Sequence, residues 1–466
     1  MRIALVFPNY GHKVFSENLK FVDEEFCLAP PIILAYIAAI LERHGHEVML
    51  LDIRALALTK EEALKKIREF NPEMLGFRAE TYHFYDALAL IKYLKANLKI
   101  PVFTGGVNMT LYPRETIEHE EIDYGIIGEA IESLPKMIRA LGRREQLKGI
   151  PGVVYKSKTG GIIINPASNE LADFNEYPFP ARHLLPNEKY YSFISQRKNF
   201  TLMLKSTGCP FKCSFCAIPN AYRFRSPQSV IKEIEVCYND FNIREIDFFD
   251  AVFFMPRESV RELFSLLKER KLDLEWSCRS RVDIVDEVIL KEAAEAGCRQ
   301  IYFGIESVDQ NVLNSINKNV SPDMVKRTIN LSRDYGIKTM GFFMVGNEKD
   351  TAESVRKSIK FAKDLKLDFV QVCKTIAKPG TELHKQVNAA TGIDFWQRHL
   401  QQAPLTERLP APWSSLTEEK KTSLTKEFYF RFYFRPIIIW KILLRLKSFS
   451  EFKRYCRAAL KFLRFL

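Results

Sequence analysis

Short apolar runs alternate with amphipathic stretches along the first 145 residues of the chain. Compact apolar runs predict strands, and apolar side chains that recur every three or four residues predict helices. The strands predicted in this way are 3–7, 47–51, 74–77, 101–104 and 124–127, and the helices are 32–44, 59–70, 82–98 and one that begins at 130. Strands alternating with helices predict a parallel, doubly wound α/β sheet of Rossmann-like type, whose ligands bind at the carboxyl ends of the strands.

The same alternation returns between residues 200 and 385. Six apolar runs predict strands at 201–205, 245–249, 274–278, 300–303, 338–345 and 369–373. The helices predicted between them are 229–241, 259–270, 287–296, 323–335 and 351–365. Six strand–helix units fit a partial (β/α)6 barrel of TIM type, in which chemistry takes place at the C-terminal ends of the strands.

Two further segments complete the predicted organisation into 1–145, 146–199, 200–385 and 386–466. Residues 146–199 predict a connector that contains a small hairpin around the Thr-Gly pair at 159–160. In residues 386–466 the alternation of strands and helices stops, and the pattern predicts a helical region that ends in a basic, aromatic tail. The net charge of the chain is +12, and residues 426–466 contribute most of it, with eleven Lys and Arg against two acids.

The tail leaves two interpretations open. It has no apolar run of the eighteen or so residues that a membrane span needs, because Pro436 and several Lys and Arg interrupt it. Aromatic and aliphatic side chains beside basic ones suit a helix that lies on an anionic membrane surface. They equally suit an amphipathic helix that packs on the barrel. Nucleic-acid binding is less favoured, because the tail is too aliphatic for a stacking platform and no recognition module is visible.

Three cysteines stand directly after the first strand predicted for the barrel, in the pattern C-x3-C-x2-C: Cys209, Cys213 and Cys216. Three thiolates can bind three irons of a cubane 4Fe–4S cluster and leave the fourth iron open to a small molecule. A zinc site would need a fourth ligand, and the next cysteine is Cys237. Nine cysteines and a strand-like N-terminal run, with no leader pattern, argue against a disulfide framework and favour a cytoplasmic protein.

This cysteine motif resembles the signature of the radical S-adenosylmethionine (SAM) superfamily. The resemblance implies that the open iron binds SAM, and that one electron from the cluster cleaves SAM to methionine and a 5′-deoxyadenosyl radical, which takes a hydrogen atom from the substrate. The positions that match SAM-binding ones are Phe215, Asp250, Arg281, Gly304, Glu306 and Gly346. Phe215 and Gly346 would contact adenine, Asp250 the amino group and Arg281 the carboxylate.

Two departures and two alternatives accompany these assignments. Relatives often carry Asp-Asp where this chain has Asp250-Ala251, and Gly-x-Pro where residues 346–348 read Gly-Asn-Glu. Glu306, assigned to the SAM amino group or ribose, could instead cap the helix that follows it. Arg281 could be a partner in a salt bridge.

Residues 1–145 resemble the cobalamin-binding module that precedes many radical SAM barrels. Four stretches carry the resemblance: Leu-Ala-Pro-Pro-Ile-Ile-Leu-Ala-Tyr at 28–36, Gly-His-Glu-Val at 45–48, Thr-Gly-Gly at 104–106 and Ile-Gly-Glu at 127–129. The cobalamin contacts that it implies are Gly105, Gly106, Val107, Gly128 and Glu129. The motif D-x-H-x-x-G is absent, since residues 8–13 read Pro-Asn-Tyr-Gly-His-Lys, so no histidine ligand to cobalt is assigned. A domain that keeps the fold without cobalamin is the alternative.

Taken together, residues 1–385 resemble cobalamin-binding radical SAM proteins, a group that includes anaerobic magnesium-protoporphyrin ester cyclases and hopanoid-modifying enzymes. The resemblance implies cobalamin-dependent methylation of an unactivated carbon, with a radical cyclase or oxidase of a tetrapyrrole- or lipid-like substrate as the alternative. A tRNA- or peptide-modifying enzyme and a non-catalytic cobalamin or iron–sulfur sensor are further alternatives. The expected partners are a small-molecule or lipid-like substrate, a one-electron donor of flavodoxin or ferredoxin type and, through the tail, the inner face of a membrane.

Overall fold

The computed structural model describes residues 1–10, 27–192, 194–195, 197, 199–401, 409–438 and 440. These residues fall into two units. The first contains residues 1–10, 29–190 and 394–401, and the second contains 27–28, the described part of 191–393, and the described residues from 409 onward.

The described residues form strands and helices that are numbered here in chain order. The strands are β1 (Arg2–Phe7), β2 (Cys27–Leu28), β3 (Glu47–Asp52), β4 (Met74–Arg78), β5 (Val102–Gly105), β6 (Tyr124–Ile126), β7 (Val153–Lys156), β8 (Ile162–Ile164), β9 (Tyr191–Ser192), β10 (Phe200–Met203), β11 (Ser206–Thr207), β12 (Arg223–Phe224), β13 (Glu245–Phe248), β14 (Glu275–Ser280), β15 (Cys298–Glu306), β16 (Lys338–Val345) and β17 (Phe369–Lys374). The helices are α1 (Ile32–Arg43), α2 (Lys60–Phe70), α3 (Phe84–Leu98), α4 (Val107–Leu111), α5 (Pro113–Ile117), α6 (Ala130–Arg143), α7 (Pro227–Asp240), α8 (Arg257–Arg270), α9 (Glu287–Glu295), α10 (Gln310–Ser315), α11 (Pro322–Asp334), α12 (Ala352–Asp364), α13 (Glu382–Thr391), α14 (Phe395–Gln401) and α15 (Glu418–Tyr433).

The first unit is built on one sheet. In the described part of the chain its strand order is β3-β1-β4-β5-β6-β7-β8, and the first five strands are parallel. Strand β1, which lies between β3 and β4, is fully buried from Ile3 to Val6, as expected for a parallel strand covered on both faces. The predicted doubly wound α/β domain is confirmed. Its ligand edge is where β4, β5 and β6 end.

The hairpin predicted within residues 146–199 is present, but it is not a separate connector. Its strands β7 and β8 continue the first sheet as antiparallel strands next to β6. The first unit therefore extends to Tyr190, and residues 394–401 return to it, so the boundary predicted at 145 lies inside a sheet. Apolar periodicity locates a strand, but it does not tell which sheet the strand joins.

The second unit confirms the predicted half-barrel. Within the described residues its main sheet has the order β10-β13-β14-β15-β16-β17, and every neighbouring pair is parallel. Burial alternates along β16, where Thr339, Gly341, Phe343 and Val345 are buried and the residues between them are less so. The buried face meets the helices, and the other face lines the interior of an incomplete barrel.

The described part of the C-terminal tail packs on the barrel. Helix α15 places Leu424, Phe428 and Phe432 in the core of the second unit. The hydroxyls of Tyr429 and Tyr433 hydrogen-bond the backbone of β17 at Val372 and Val370. No helix among the described residues is long and apolar enough to cross a membrane. Residues 441–466, on which much of the membrane interpretation rests, lie outside the described residues.

Candidate active site

The three cysteines of the motif lie on one loop, residues 208–222, which follows the first barrel strand and is called here the cluster loop. A short antiparallel pair, β11 with β12, closes the base of this loop. Gly208 has φ +76°, and a Cβ at this position would overlap the carbonyl oxygen of Ala221. Only glycine therefore allows the chain to turn directly before Cys209.

The thiols of Cys209, Cys213 and Cys216 are partly buried, and burial raises the pKa of each. The positive charges of Lys318 and Arg281 partly offset this for Cys209 and Cys213, because they lower the pKa. Among the described residues, no group of three His, Cys, Asp or Glu side chains is close enough to hold a single metal ion. A cubane bonds each thiolate to a different iron, so its ligands stand further apart than those of one ion, and this donor set fits a cluster with three protein ligands.

Arg281 lies against the cluster loop. Its Nε and Nη2 donate to the two carboxylate oxygens of Asp283 at 2.9 and 2.8 Å, and its Nη1 is 3.6 Å from Sγ of Cys213. The guanidinium also stacks on the ring of Phe211, 3.9 Å from its centroid. Arg281 is thus both a salt-bridge partner and a buried cation held at a cluster ligand. Its contact with the SAM carboxylate stays a prediction.

Glu306 forms a buried ion pair with Lys318, at 2.8 Å between Oε1 and Nζ. It occupies the left-handed region, with φ +64°, at a register shift between β15 and β16. A Cβ on Gly304 would stand 2.7 Å from the carboxylate of Glu306 and 2.8 Å from Lys318, so glycine leaves room for this pair. Glu306 does not cap the following helix, since Asp309 does so.

Lys318 is a residue that the sequence reasoning missed, together with the loop that carries it. The backbone carbonyl of Ile316 accepts a hydrogen bond from Ser214 N at 3.1 Å, and Asn317 Nδ2 donates to the carbonyl of Lys212 at 2.7 Å. This loop therefore fixes the cluster loop between Cys209 and Cys216. No motif marks residues 316–318, and only three-dimensional contact reveals their role.

Asp250, predicted to lie near the SAM amino group, is buried just after β13, against the turn that leads to the cluster loop. Its carboxylate accepts hydrogen bonds from the backbone N–H and the hydroxyl of Ser206, and from Lys205 N at 3.3 Å. Burial raises its pKa, and the nearby charge of Lys205 lowers it. The structure thus places Asp250 as a support of the turn before Cys209.

Gly346 stands at the end of β16 with both backbone polar groups already bonded. Its N–H donates to Asp350 at 3.0 Å, and its carbonyl accepts from Nε1 of Trp413 at 2.9 Å. Phe215, the second residue predicted for adenine, lies partly buried within the cluster loop. Gly346 thus follows the C-terminal end of β16 and Phe215 lies in the cluster loop, and their contacts with adenine stay a prediction.

The interior wall of the half-barrel carries an aromatic and cationic cluster. Arg279 donates two hydrogen bonds to Asp247, at 2.7 and 3.0 Å. Its guanidinium lies 4.1 Å from the ring centroid of Phe249 and 4.9 Å from that of Tyr302. Tyr302 is also stacked on Phe342. The charges of this wall are paired, and Phe249 is 51% exposed, so the wall offers mainly aromatic surface to a ligand.

The ligand edge of the first unit has the shape of a cradle. Gly106 has φ +105° and ψ −167°, and a Cβ there would be 2.9 Å from the carbonyl oxygen of Ala79. Thr104 Oγ1 and Asn108 Nδ2 are buried, with no hydrogen-bond partner within the part of the chain that the structure describes. A Cβ on Gly105 would be 3.9 Å from the carbonyl oxygen of Ile126, an ordinary contact, and Val107 is exposed at the start of α4. Close backbone approach with buried polar groups left to bond fits a large ligand such as cobalamin.

Gly128 and Glu129 border the same edge after β6. Gly128 has φ +73°, and its N–H donates to Thr110 Oγ1 at 3.1 Å. Glu129 accepts a hydrogen bond from the hydroxyl of Tyr177 at 2.9 Å and stands at the start of α6. All five residues predicted for cobalamin thus lie at the ends of β5 and β6. Gly11, His12 and Lys13 lie outside the described residues.

Comparison with known families separates the same two parts of the chain. Residues 203–362 match the Radical SAM superfamily, and residues 28–138 match the B12 binding domain. The first match contains the cluster loop, and the second contains Gly105, Gly106 and Gly128.

The chain is 31% identical to an uncharacterized methyltransferase of Pyrococcus horikoshii over 420 residues, 88% of this chain and 89% of the relative. It is 28% identical to the anaerobic magnesium-protoporphyrin IX monomethyl ester cyclase of Rubrivivax gelatinosus over 412 residues, 86% of this chain and 72% of the relative. The solved radical SAM methyltransferase TsrM of Kitasatospora setae, with cobalamin and a 4Fe–4S cluster bound, is similar with a TM-score of 0.67 at 20% identity, over 83% of this chain and 75% of TsrM. At 20% identity, the similarity to TsrM shows that the two proteins share a fold.

Proposed function

Since the chain belongs to the cobalamin-dependent radical SAM methyltransferase family, we propose that it methylates an unactivated carbon of a small substrate from which a hydrogen atom is first removed. Membership in this family assigns it a 4Fe–4S cluster, SAM and cobalamin as cofactors, and an external one-electron donor. The observation that carries the proposal is the cluster loop, whose three thiols and the cation of Arg281 meet at the C-terminal mouth of the half-barrel.

When bound, these cofactors supply reductive SAM cleavage and a methyl carrier. The residues of the chain would position them. Arg281, held by Asp283, places one N–H 3.6 Å from Sγ of Cys213, and its charge would favour the more negative, reduced state of a cluster bound there. The Lys318–Glu306 pair sits beside the same thiols and offers a second, matched set of charges for the amino acid part of SAM.

The substrate that best suits the barrel wall is largely apolar. Phe249, Tyr302 and Phe342 supply aromatic surface, and the charge of Arg279 is already paired with Asp247. A strongly anionic substrate would need a free cation at this wall, whereas a lipid-like or tetrapyrrole-like substrate would pack on the rings. The alternative that stays open is a cyclase or oxidase that ends the radical reaction without methyl transfer.

The test is an anaerobic reaction of the reconstituted protein with SAM that carries a deuterated methyl group. The reaction would be run on a total lipid extract and on a tetrapyrrole extract, with the Cys213→Ala variant as the blank. A product that gains a CD3 group, together with 5′-deoxyadenosine, supports the methylase. 5′-Deoxyadenosine with a modified but unmethylated product supports the cyclase or oxidase. Neither product from either extract, despite a complete cluster, would favour the sensor.

We also propose that the tail contacts an anionic membrane. Phe430 is 53% exposed and stacks on Phe434, and Ile437 and Trp440 are exposed further along the chain. The sequence that follows, 441–466, holds eight Lys and Arg against one Glu. Aromatic side chains beside net positive charge suit an anionic interface.

Co-sedimentation with vesicles tests this contact. We expect binding to vesicles that contain phosphatidylglycerol, weaker binding to pure phosphatidylcholine, and loss of binding at high salt. The variants Phe430→Ser and Trp440→Ser should weaken binding, whereas Val288→Ser, which changes an exposed side chain on another helix, should not. Equal binding to both kinds of vesicle, or none, would contradict the proposal.

A further inference from the structure

The C-terminal end of β16 is covered by a segment that lies outside the residues matched to the Radical SAM superfamily. Trp413 belongs to this segment, and its Nε1 donates to the carbonyl of Gly346 at 2.9 Å. Gly346 directly follows Val345, the last residue of the fifth barrel strand, on the side where ligands bind in barrels of this type. A tryptophan from beyond residue 400 therefore stands at the rim of the candidate active site.

Neighbouring residues of the same tail segment also contact the end of β16 and hold Trp413 in place. Ser415 Oγ donates to the backbone carbonyl of Asp350 at 3.0 Å, and the carboxylate of Asp350 accepts the N–H of Gly346. Lys421 is buried with its aliphatic chain against Gly346, where a Cβ would be 2.6 Å from Lys421 Cε. Gly346 has φ +93°, which favours glycine. The tail segment and the end of β16 are thus packed as one piece.

We propose that Trp413 forms one wall of the SAM pocket and packs its ring on the adenine. Its N–H is already bonded to Gly346, so its apolar ring faces are what it can offer a ligand, and the residue is only partly buried. Aromatic side chains bind nucleic-acid bases by stacking on their faces. The inference rests on the proposed function, because it requires that SAM bind at the cluster loop.

Tryptophan fluorescence of the cluster-reconstituted protein, titrated with SAM and with 5′-deoxyadenosine, tests the inference. SAM affinity would be measured separately by calorimetry. We expect SAM to quench the wild-type protein and the Trp440→Phe control, and to leave Trp413→Phe almost unchanged in emission. The variant Trp413→Ala should bind SAM about tenfold more weakly, whereas Trp413→Phe, which keeps a stacking ring, should bind it nearly as well as wild type.

Iron content and thermal unfolding of each variant show whether it is folded and loaded. If Trp413→Ala does not fold, the quenching difference between Trp413→Phe and Trp440→Phe still decides. SAM binding that quenches Trp413→Phe as strongly as wild type would overturn the role of Trp413 and leave the proposed function intact. Absence of SAM binding to loaded wild-type protein, by calorimetry, would overturn the proposed function and the inference with it.

Discussion

The two ligand edges of this protein are prepared in different ways. Around the cluster loop, charged side chains are already paired: Arg281 with Asp283, and Lys318 with Glu306. At the edge of the first unit the main feature is backbone conformation: Gly106 takes φ +105° and ψ −167°, and the buried polar atoms of Thr104 and Asn108 are left to bond in the described structure.

The difference follows from what each edge has to hold. A small, charged cluster needs fixed cations and a braced loop, which side chains can supply in advance. A large ligand with many polar groups needs backbone approach and can satisfy buried groups itself when it binds. We therefore expect the cluster edge to depend on individual side chains, and the cobalamin edge to depend on backbone conformation.

The largest effect is expected at the cluster edge from Cys213→Ala. Removal of one of three thiolate ligands should abolish stable 4Fe–4S binding and reduce SAM cleavage to below detection. The measurements are iron and sulfide content and the visible absorbance of the reconstituted protein. Cys373→Ala is the matched control, because Cys373 is also partly exposed in the barrel but lies outside the motif. A normal cluster in Cys213→Ala would remove Cys213 from the ligand set.

The next effect concerns the ion pair. Lys318→Met leaves the carboxylate of Glu306 buried without its cation, so we expect the free energy of unfolding to fall by about 3–5 kcal/mol. The double variant Lys318→Met with Glu306→Leu should recover part of this stability in chemical denaturation. If the pair acts on the cofactors, the double variant will still bind SAM weakly by calorimetry. Full SAM affinity in the double variant would assign the pair to folding alone.

Gly106→Ala tests the other edge. The glycine has φ +105° and ψ −167°, a region almost confined to glycine, and a Cβ would meet the carbonyl of Ala79. We expect stability to fall by about 1–3 kcal/mol, with strong loss of cobalamin in equilibrium dialysis and an unchanged iron content. Gly45→Ala is the control, because it shares a positive φ but has no atom within 4 Å. Equal cobalamin binding by the two variants would contradict the cradle.

The smallest effect is expected away from both edges. Tyr433→Phe removes one hydroxyl that accepts from Val370 N at 3.0 Å and donates to Val370 O at 2.7 Å. We expect a loss of about 1 kcal/mol in unfolding free energy and faster hydrogen exchange at the Val370 amide. Tyr335→Phe, which loses a hydroxyl on the protein surface, should change neither quantity. Cluster and cobalamin content should match wild type in both variants.

Local patterns in the sequence were enough for the fold class and the cluster ligands. Strand–helix alternation and the spacing of Cys209, Cys213 and Cys216 are properties of short segments, so they can be read without knowing the fold. Gly208 carried a signal that was overlooked, since a glycine directly before the first cysteine indicates a forced turn. Asn317 carried none, because it lies 105 residues from Lys212, the residue of the cluster loop to which it bonds.

The predicted roles of single polar residues depended on partners that the sequence does not reveal. Asp250 and Glu306 were assigned to SAM from their position after a strand, and the structure shows that Ser206 and Lys318 already bond them. The sequence did not show which part of the tail packs on the barrel. The structure does, because it places Phe428 and Phe432 in the barrel core. In residues 428–434, buried and exposed aromatic residues alternate within one or two positions, so amino-acid composition cannot tell which of them face the core.

The phenols of Tyr429 and Tyr433 have a consequence for how the half-barrel behaves in solution. Each hydroxyl serves both the N–H and the C=O of one residue of β17, as a neighbouring strand would. An open barrel would otherwise end in a six-residue strand ready to pair with a second molecule. A chain cut before Glu418 would lose this cover, and self-association through β17 would compete with its folding.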